Sequence, residues 1–314
     1  MKSFTAGKND DGVRLLRFCE KVCPKMPKSL MRKAFRNKRI KINGKKQNED
    51  YRLVQGDLIE LYINDEFFMD SDKATFSPVE YKNLDIIYED ENIILVNKPF
   101  GLLCHSDNKD EINLIDMVLS YLYEKGEYLP EKENSFTPAL CNRIDQGTEG
   151  IVIAAKNYKS LADMNTVIRE NLLEKTYLCI TENAVDDGEY RAFLKRDKTA
   201  KRVTVTKHKT DSESKEIITV FKTIDRKNRY NLVQCTLITG RTHQIRAHLA
   251  FLGAPIIGDR KYGKSHKGLD SQLLCAYKLA FKNIPEGLSV SYLSDKEFVV
   301  QSNSVYNFFK KLLF

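Results

Sequence analysis

The chain has 314 residues, of which 42% are hydrophobic and 10% aromatic, a composition that suits two globular units and excludes an intrinsically disordered protein. No apolar run approaches the roughly 18 residues of a membrane span, and the start of the chain lacks the apolar region of a secretory signal. The seven cysteines form no CxxC pair, so they predict reduced thiols in the cytoplasm rather than a disulfide framework or a zinc site.

The net charge of +8 is concentrated near the N-terminus. Residues 1–64 carry 16 Lys+Arg and 7 Asp+Glu, whereas residues 65–314 carry 35 and 36. Within the first part, residues 21–46 carry eleven basic side chains and no acidic one. A solvated helix face normally mixes both signs, so this segment predicts a polyanionic partner. A membrane surface is an alternative, but the apolar positions are too few for an interfacial helix, and nucleic acid is favoured.

The basic segment has the pattern of a small folded unit. Pro27 and Ser29 are helix start signals, Asn43-Gly44 is a strong hairpin signal, and residues 57–63 predict a strand. The predicted apolar stripe of the helix comprises Leu30, Met31, Ala34 and Phe35. The basic side chains that we expect to contact phosphates are Lys28, Arg32, Lys33, Arg36, Lys38, Arg39 and Lys45.

Residues 12–64 resemble the S-four-like RNA-binding domain, a small αβ fold named after a ribosomal protein. The resemblance lies in RLLRFCEK, in KSLMRKAFRNKRIKINGKK and in GDLIEL. It implies a domain over residues 1–66 that binds structured RNA through its helix and hairpin. A basic surface without a partner is the alternative.

Residues 67–80 lack periodicity and contain Ser77-Pro78, which predicts a linker to a larger domain over residues 81–314. The pattern of that domain predicts an α+β fold with a largely antiparallel mixed sheet flanked by helices. The predicted strands are 92–98, 150–156, 175–181, 202–206, 216–224 and 230–238. The predicted helices are 113–124, 158–172 and 242–252.

The stretch CNRIDQGTEG (141–150) places a charged pair in front of a buried strand. By itself the pattern is typical of a local ion pair between Arg143 and Asp145, with Gly147 and Gly150 serving the turn. Exposed pairs of this kind contribute under about 1 kcal/mol to stability. The stretch alone therefore does not predict a catalytic site.

A second stretch, LITGRTHQIRAHLAFLGAPIIGDRKYG (237–263), predicts a strand followed by a helix that Thr242 caps and Gly253 ends. His243 and Arg246 share one face near the positive helix N-terminus, and Arg241 adds charge. This arrangement predicts an anion site. The anion is either a phosphate or a carboxylate from elsewhere in the chain.

Other chemistries lack their motifs. His243 and His248 are five residues apart and do not share a helix face well, and no HExxH or facial-triad spacing is present, which disfavours a metal. There is no GxSxG elbow for a serine nucleophile, and no cysteine has a recognisable catalytic setting. GxGxxG and phosphate-loop motifs are absent too, which disfavours a nucleotide cofactor.

Four blocks together resemble the RNA pseudouridine synthases, and within them the ribosomal large-subunit branch, which often carries an S-four-like domain in front. The blocks are IIYEDENIILVNKPFGLLCH (86–105), CNRIDQGTEGIVIAAKN (141–157), EKTYLCI (174–180) and ITGRTHQIRAHLAFLGAPIIGDRKYG (238–263). The resemblance implies the pseudouridine synthase fold and isomerisation of specific uridines, flipped out of large-subunit (23S) ribosomal RNA, without metal or cofactor. Transfer RNA is an alternative substrate, and a monomer is the default state.

The resemblance also implies roles for individual residues. Asp145 is the catalytic residue, Tyr177 faces the target base and is a candidate general base, and Arg246 pairs with the aspartate, which would favour its ionised form. The other candidate substrate contacts of this domain are Arg143, Arg241, His243 and Leu274.

Three positions depart from the family pattern. Asn142 stands for a histidine, Glu149 for a serine and Cys275 for a histidine. A carboxylate at 149 would disfavour ionisation of Asp145 by like-charge repulsion if both were buried. These departures leave two alternatives open, a non-catalytic RNA-binding assembly factor and an RNA hydrolase that uses Asp145 and His243.

Overall fold

The computed structural model describes residues 1–68, 76–82, 84–106, 108, 111–197, 199 and 202–312. Half of the predicted linker, residues 69–75, falls outside these residues. Where it is described again, the Val79 N–H donates to Ser120 Oγ at 2.8 Å, so the segment lies against the larger unit. No helix in the described ranges is both long and apolar enough to cross a membrane.

The N-terminal unit is a four-stranded antiparallel sheet, in the order β1-β4-β2-β3, covered by two helices. Its elements are β1 (Lys2–Thr5), α1 (Leu15–Val22), α2 (Lys28–Arg36), β2 (Ile40–Ile42), β3 (Lys45–Lys46) and β4 (Leu58–Leu61). Asn43 and Gly44 both have positive φ, as the predicted tight hairpin between β2 and β3 requires. The unit has a core of its own, formed by residues between Ala6 and Phe68.

The apolar stripe of α2 is narrower than predicted. Met31, Ala34 and Phe35 are buried, but Leu30 is 39% exposed. A two-turn helix on a small sheet buries only its central i, i+3, i+4 positions, and Leu30 lies at the edge of that stripe.

In the residues that the structure describes, the larger unit is built on one sheet of eleven strands with four helices. Its elements are β5 (Asp85–Glu89), β6 (Ile93–Lys98), α3 (Leu114–Glu124), β7 (Ala139–Leu140), β8 (Glu149–Ala155), α4 (Tyr158–Arg169), β9 (Leu173–Thr181), β10 (Gly188–Asp197), β11 (Arg202–Thr206), β12 (Lys215–Lys227), β13 (Tyr230–Leu237), α5 (Gln244–Phe251), β14 (Leu274–Phe281), β15 (Glu297–Val299) and α6 (Ser304–Lys311).

The strand order is β11-β10-β12-β13-β9-β14-β8-β6-β5, with β7 paired to β8 and β15 to β14. Among the described pairings of this sheet only β14 with β8 is parallel. The predicted α+β class with a mostly antiparallel mixed sheet is therefore confirmed. All six predicted strands and all three predicted helices are present; β5, β7, β10, β14, β15 and α6 were not predicted.

Alternation along the strands divides the sheet into two faces. On β9, Tyr177 and Cys179 point towards α3 and α5. Leu178 and Ile180 point towards α4 and α6. The α5 face carries the cleft described below.

The N-terminal unit contacts the larger unit at the segment before β7. Buried Asp10 accepts hydrogen bonds from Asn134 Nδ2 at 2.7 Å and from Ser135 Oγ at 2.5 Å. Asn9 Nδ2 donates to Glu133 Oε1 at 2.7 Å. These bonds hold the basic unit beside β7, β8 and the start of α4.

Candidate active site

A cleft of about 550 Å³ opens on the α5 face of the sheet. All seven site residues predicted in the larger unit line it, namely Arg143, Asp145, Tyr177, Arg241, His243, Arg246 and Leu274. The predicted phosphate contacts of the N-terminal unit lie outside it and are all exposed. The fold thus gathers residues from two loops, two strands and one helix, up to 131 positions apart in sequence.

Asp145 lies in the loop between β7 and β8, and backbone contacts hold this loop tightly. The Thr148 N–H donates to the Asp145 carbonyl at 3.0 Å, and the Gly101 N–H donates to the Gln146 carbonyl at 3.0 Å. A side chain at Gly147 would overlap Ser271 Oγ. A larger residue would therefore require the Ser271 side chain to move away from the loop.

Gly150 is required for a different reason. It has a φ of +118° at the start of β8, and a Cβ there would overlap the backbone of Ala276 on β14. This close approach is the parallel pairing that joins the two halves of the sheet below the cleft.

The departures from the family pattern have structural partners away from the reacting centre. Asn142 Oδ1 accepts the Ile153 N–H at 2.8 Å, which ties the loop to β8. Glu149 accepts hydrogen bonds from the Ser304 N–H at 2.7 Å and Ser304 Oγ at 2.6 Å at the start of α6, and it does not line the cleft. Cys275 is buried in the core on the α4 and α6 face.

Arg246 connects two carboxylates. Its Nη1 donates to Asp145 Oδ2 at 2.7 Å, while Nε and Nη2 donate to the two oxygens of Asp259 at 2.8 and 2.9 Å. Asp259 is 0% exposed and also accepts the backbone N–H groups of Lys261 and Tyr262. Burial opposes the charge of Arg246, but the two carboxylates outweigh it and raise the pKa of the guanidinium, which stays charged.

His243 does not have the helical conformation that was predicted. It occupies the N-cap position in the left-handed region, with φ 53° and ψ 22°, so the predicted cap at Thr242 is wrong. Instead, buried Gln244 accepts the Arg241 N–H at 3.0 Å and donates to the Ile218 carbonyl at 3.1 Å. A residue other than glycine in this region costs roughly 1 kcal/mol or more, and such strain concentrates at functional sites.

A hydrogen-bond chain orients the His243 ring. Tyr262 Oη accepts the Val203 N–H at 2.9 Å and lies 2.8 Å from His243 Nδ1. Burial lowers the pKa of His243, so the ring is neutral at pH 7. When the Tyr262 hydroxyl donates its own proton to Nδ1, the hydrogen of the neutral ring is on Nε2. That Nε2 lies 3.8 Å from Asp145 Oδ2.

Tyr177 and Leu274 form the apolar side of the cleft. Both belong to the cluster that packs under Ile245 and Leu249 of α5. Burial, followed by the charge of Asp145, raises the pKa of the Tyr177 phenol. A raised pKa keeps the phenol protonated at pH 7, which disfavours the predicted role as a general base and leaves its ring face for stacking.

Lys98 is a buried cation next to the site that sequence reasoning missed. It is 0% exposed, and its Nζ donates to the carbonyls of Pro99, Leu102 and Gln146 at 2.9, 2.8 and 3.1 Å. Burial lowers its pKa to about 8. The ammonium thus ties the segment after β6 to the Asp145 loop.

We expect Lys98→Met to destabilise the protein by an amount that grows as the pH rises. The folded state releases the Lys98 proton near pH 8, whereas the unfolded chain keeps it to about pH 10.5, so wild type gains stability between these values. The gain is about 3 kcal/mol. Urea unfolding of both proteins at pH 7 and pH 10 measures it, and an equal difference at both pH values would contradict it.

Three other cleft-side residues had no predicted role. Asp259 and Tyr262 lie in the quoted GDRKYG segment, but nothing in that pattern indicates that they hold Arg246 and His243. Lys175, two residues before Tyr177, lines the cleft, and burial lowers its pKa. An aspartate directly after the apolar run APIIG was the signal for a buried, paired carboxylate.

Within the described ranges, no group of three or more His, Cys, Asp or Glu side chains could hold a metal ion.

Comparisons with known proteins identify the family of the chain. The profile of the RNA pseudouridylate synthase family matches residues 92–251. A protein of Mycoplasma capricolum named as an uncharacterized RNA pseudouridine synthase is 34% identical over 302 residues, which cover 94% of this chain and 96% of that one. Ribosomal large subunit pseudouridine synthase C of Rickettsia bellii is 35% identical over 264 residues, covering 80% and 82%.

The fold is also found among solved structures. Human RNA pseudouridylate synthase domain containing 4 superposes with a TM-score of 0.56 at 19% identity, over 71% of this chain and 90% of that one. The family profile, the relatives and the fold all indicate the RNA pseudouridylate synthases, so the predicted family is confirmed. The chain belongs to the RNA pseudouridylate synthase family and is an isomerase that converts uridine to pseudouridine.

Proposed function

We propose that this protein isomerises specific uridines of large-subunit ribosomal RNA, with Asp145 as the catalytic carboxylate. The observation that carries the proposal is the contact of Arg246 Nη1 with Asp145 Oδ2 at 2.7 Å inside the cleft. A charged, buried arginine that Asp259 binds from the other side holds the Asp145 carboxylate in a fixed orientation where a nucleoside can reach it. The name of the Rickettsia bellii relative supports ribosomal RNA as the substrate.

A uridine in folded RNA has to leave its stack to enter the cleft. Flipping a nucleotide costs a few kcal/mol, which contacts in the pocket offset. The ring face of Tyr177 and the side chain of Leu274 supply an apolar seat for the base. Arg143 and Arg241 are exposed at the cleft and suit the flanking phosphates.

The reaction is an isomerisation and needs no second substrate. The bond between ribose C1′ and uracil N1 breaks, the base turns, and a bond forms between C1′ and C5. The hydrogen on C5 leaves as a proton, and N1 gains one, so atoms and electrons balance. The Asp145 carboxylate acts on C1′ or, alternatively, on the base, and neutral His243 presents its Nε2–H beside it.

We also propose that the N-terminal unit is an S-four-like domain that delivers the RNA. Its seven candidate contacts are exposed, and those on α2 lie away from the buried stripe. A second groove of about 220 Å³ runs between the two units, lined by Arg17 and Lys21 of α1 and by His105. His105 also lines the main cleft, so the two grooves meet at this residue.

Neutralising three lysine and arginine positions of α2, as Lys28→Gln/Arg32→Gln/Arg36→Gln, is expected to weaken RNA binding and leave chemistry on bound RNA intact. Each lost phosphate contact lowers the slope of log K against log salt by about 0.7–0.9. Filter binding at several salt concentrations and single-turnover rates at saturating enzyme measure both effects. Normal binding at every salt concentration with slow turnover would contradict the delivery role.

The test of the function is pseudouridine mapping on total RNA from cells that lack the protein. Carbodiimide labelling with reverse-transcription stops identifies the sites, and wild type or Asp145→Asn is returned to the cells. We expect large-subunit sites that wild type restores and the variant does not. If sites are lost only from transfer RNA, transfer RNA is the substrate instead. If no site is lost, the proposal is overturned.

A further inference from the structure

The larger unit has a basic segment of its own. Residues 195–209, KRDKTAKRVTVTKHK, carry seven Lys+Arg and one aspartate. The other residues between 65 and 314 carry 28 Lys+Arg and 35 Asp+Glu. One short stretch is therefore strongly positive in a domain that is otherwise negative, and such a field attracts a polyanion.

In the described part of this segment, residues 195–197 end β10, residues 202–206 form β11, which pairs with β10 at the end of the sheet, and residues 207–209 follow β11. We call β10, β11 and the residues up to Lys209 the hairpin. Val203 of β11 packs with Ala247 of α5 and with Tyr262, so the hairpin lies directly beside the helix that carries Arg246. It also holds the site, since the Val203 N–H donates to Tyr262 Oη.

Two arginines of the hairpin lie on the side of the sheet where α5 packs. Arg196 alternates with Ala192 and Leu194, which pack on the α5 face, so its side chain leaves the sheet on that face. The Arg202 guanidinium lies 5.0 Å from the centre of the Tyr262 ring, on which Arg246 also stacks at 5.4 Å. The same ring thus contacts an exposed arginine of the hairpin and the buried arginine that binds Asp145.

The charges of this surface are available to a ligand. Arg196, Arg202, Lys207 and Lys209 are exposed; we call these four residues the hairpin patch. Lys195 is paired with Asp211, whereas no described carboxylate lies within ion-pair distance of the patch. Four exposed cations without a carboxylate partner attract a polyanion.

The hairpin patch and the N-terminal unit flank the cleft. The N-terminal unit docks beside β7 and β8, and β11 lies six strands from β8 in the sheet. At about 4.8 Å per strand this separation is roughly 29 Å. The cleft, built from the loop before β8, from β9 and from α5, lies between them.

From this placement we infer that the hairpin patch binds phosphates of the substrate RNA on the side of the flipped uridine that is remote from the N-terminal unit. The inference rests on the proposed function. Phosphate contacts on both sides of the target nucleotide would hold the RNA in place while the base is flipped out. The free energy of these contacts would offset the free-energy cost of unstacking the base.

The experiment compares Arg196→Gln/Lys207→Gln/Lys209→Gln with Lys310→Gln/Lys311→Gln. The control lysines are exposed on α6, which packs on the opposite face of the sheet. Arg202 is left in place because it contacts Tyr262. Both proteins and wild type are titrated with an unmodified transcript of large-subunit ribosomal RNA by filter binding between 50 and 300 mM salt, after thermal melts have verified folding.

We expect the salt slope to fall by about 0.7–0.9 per removed charge in the hairpin variant and to stay at the wild-type value in the control. The KM for RNA should rise several-fold, with an unchanged single-turnover rate at saturation. Equal slopes for the hairpin variant and wild type would overturn the inference. So would an equal loss in the α6 control, which would indicate a general charge effect.

Failure of the inference can be told from failure of the proposed function. If wild type forms pseudouridine in the transcript and the slopes do not differ, the hairpin patch has no RNA contact and the function stands. If wild type forms none, the substrate is wrong. In that case a reduced slope still supports an RNA contact at the patch, and an unreduced one overturns it.

Discussion

Asp145→Asn is expected to lower the rate of pseudouridine formation by more than about 10³-fold while RNA binding stays within about threefold of wild type. Asparagine has the same shape and still accepts a hydrogen bond from Arg246, so the loop and the cleft keep their geometry. It cannot act as an anionic nucleophile or base. The loss should therefore appear in the chemical step and not in binding.

Single-turnover assays on transcript RNA with excess enzyme measure this step directly. The matched control is Glu149→Gln, four residues along the chain, whose carboxylate binds the start of α6 and does not line the cleft. It should keep nearly wild-type activity and lose at most about 1–3 kcal/mol of stability. An active Asp145→Asn would remove Asp145 from the mechanism and favour the non-catalytic RNA-binding alternative.

The second large effect is expected for Asp259, which does not itself reach the substrate. Asp259→Asn leaves Arg246 without its two-point partner in a buried place, and breaking such a pair costs about 3–5 kcal/mol of stability. Arg246 then tilts away from the geometry in which Nη1 contacts Asp145. A displacement of about 1 Å at a reacting group costs on the order of 10²-fold in rate.

Kinetic measurements distinguish the loss of Arg246 positioning from a loss of protein stability. At a temperature at which Asp259→Asn is folded, kcat should fall and the KM for RNA should change little, and Asp259→Glu should recover part of the rate. Glu174→Gln, which removes the partner of Lys282 on the other face, is the control and should cost under about 1 kcal/mol. A folded Asp259→Asn with wild-type kcat would show that Arg246 needs no second carboxylate.

Elements with a strong local pattern could be predicted from the sequence. The β8 run GIVIAA is apolar enough to be buried on both faces, and Asn43-Gly44 has the backbone freedom that its turn needs. β10 was not predicted, because GEYRAFLKRD buries only Ala192 and Leu194 and exposes charges between them. The segment forms a strand because it pairs with β12 and β11, and this pairing cannot be read from its local composition.

Two further features could not be predicted from the local pattern, namely the cap of α5 and the burial of Leu30. Thr242 has the side chain of a cap, but buried Gln244 takes over the contacts at the start of α5 through Thr219 and the Ile218 carbonyl on β12. Leu30 has the spacing of a core residue, but the small N-terminal sheet leaves it at the edge. In both cases tertiary contacts outweigh a local preference worth about 1 kcal/mol.

By itself, the sequence determined the family, the order of the main elements, and the residue types of the site, since Asp145, Tyr177 and Arg246 stand in motifs that the resemblance singles out. For Arg246, the anion site predicted at the start of the helix pointed to the same residue. Only the tertiary structure decided which side chains act together. Arg246 meets Asp145 across 101 residues and Asp259 across 13, and Tyr262 joins His243 to a hairpin 59 residues away. Such contacts are set by how strands pair and where α5 packs, and these depend on the burial of the whole chain rather than on any local pattern.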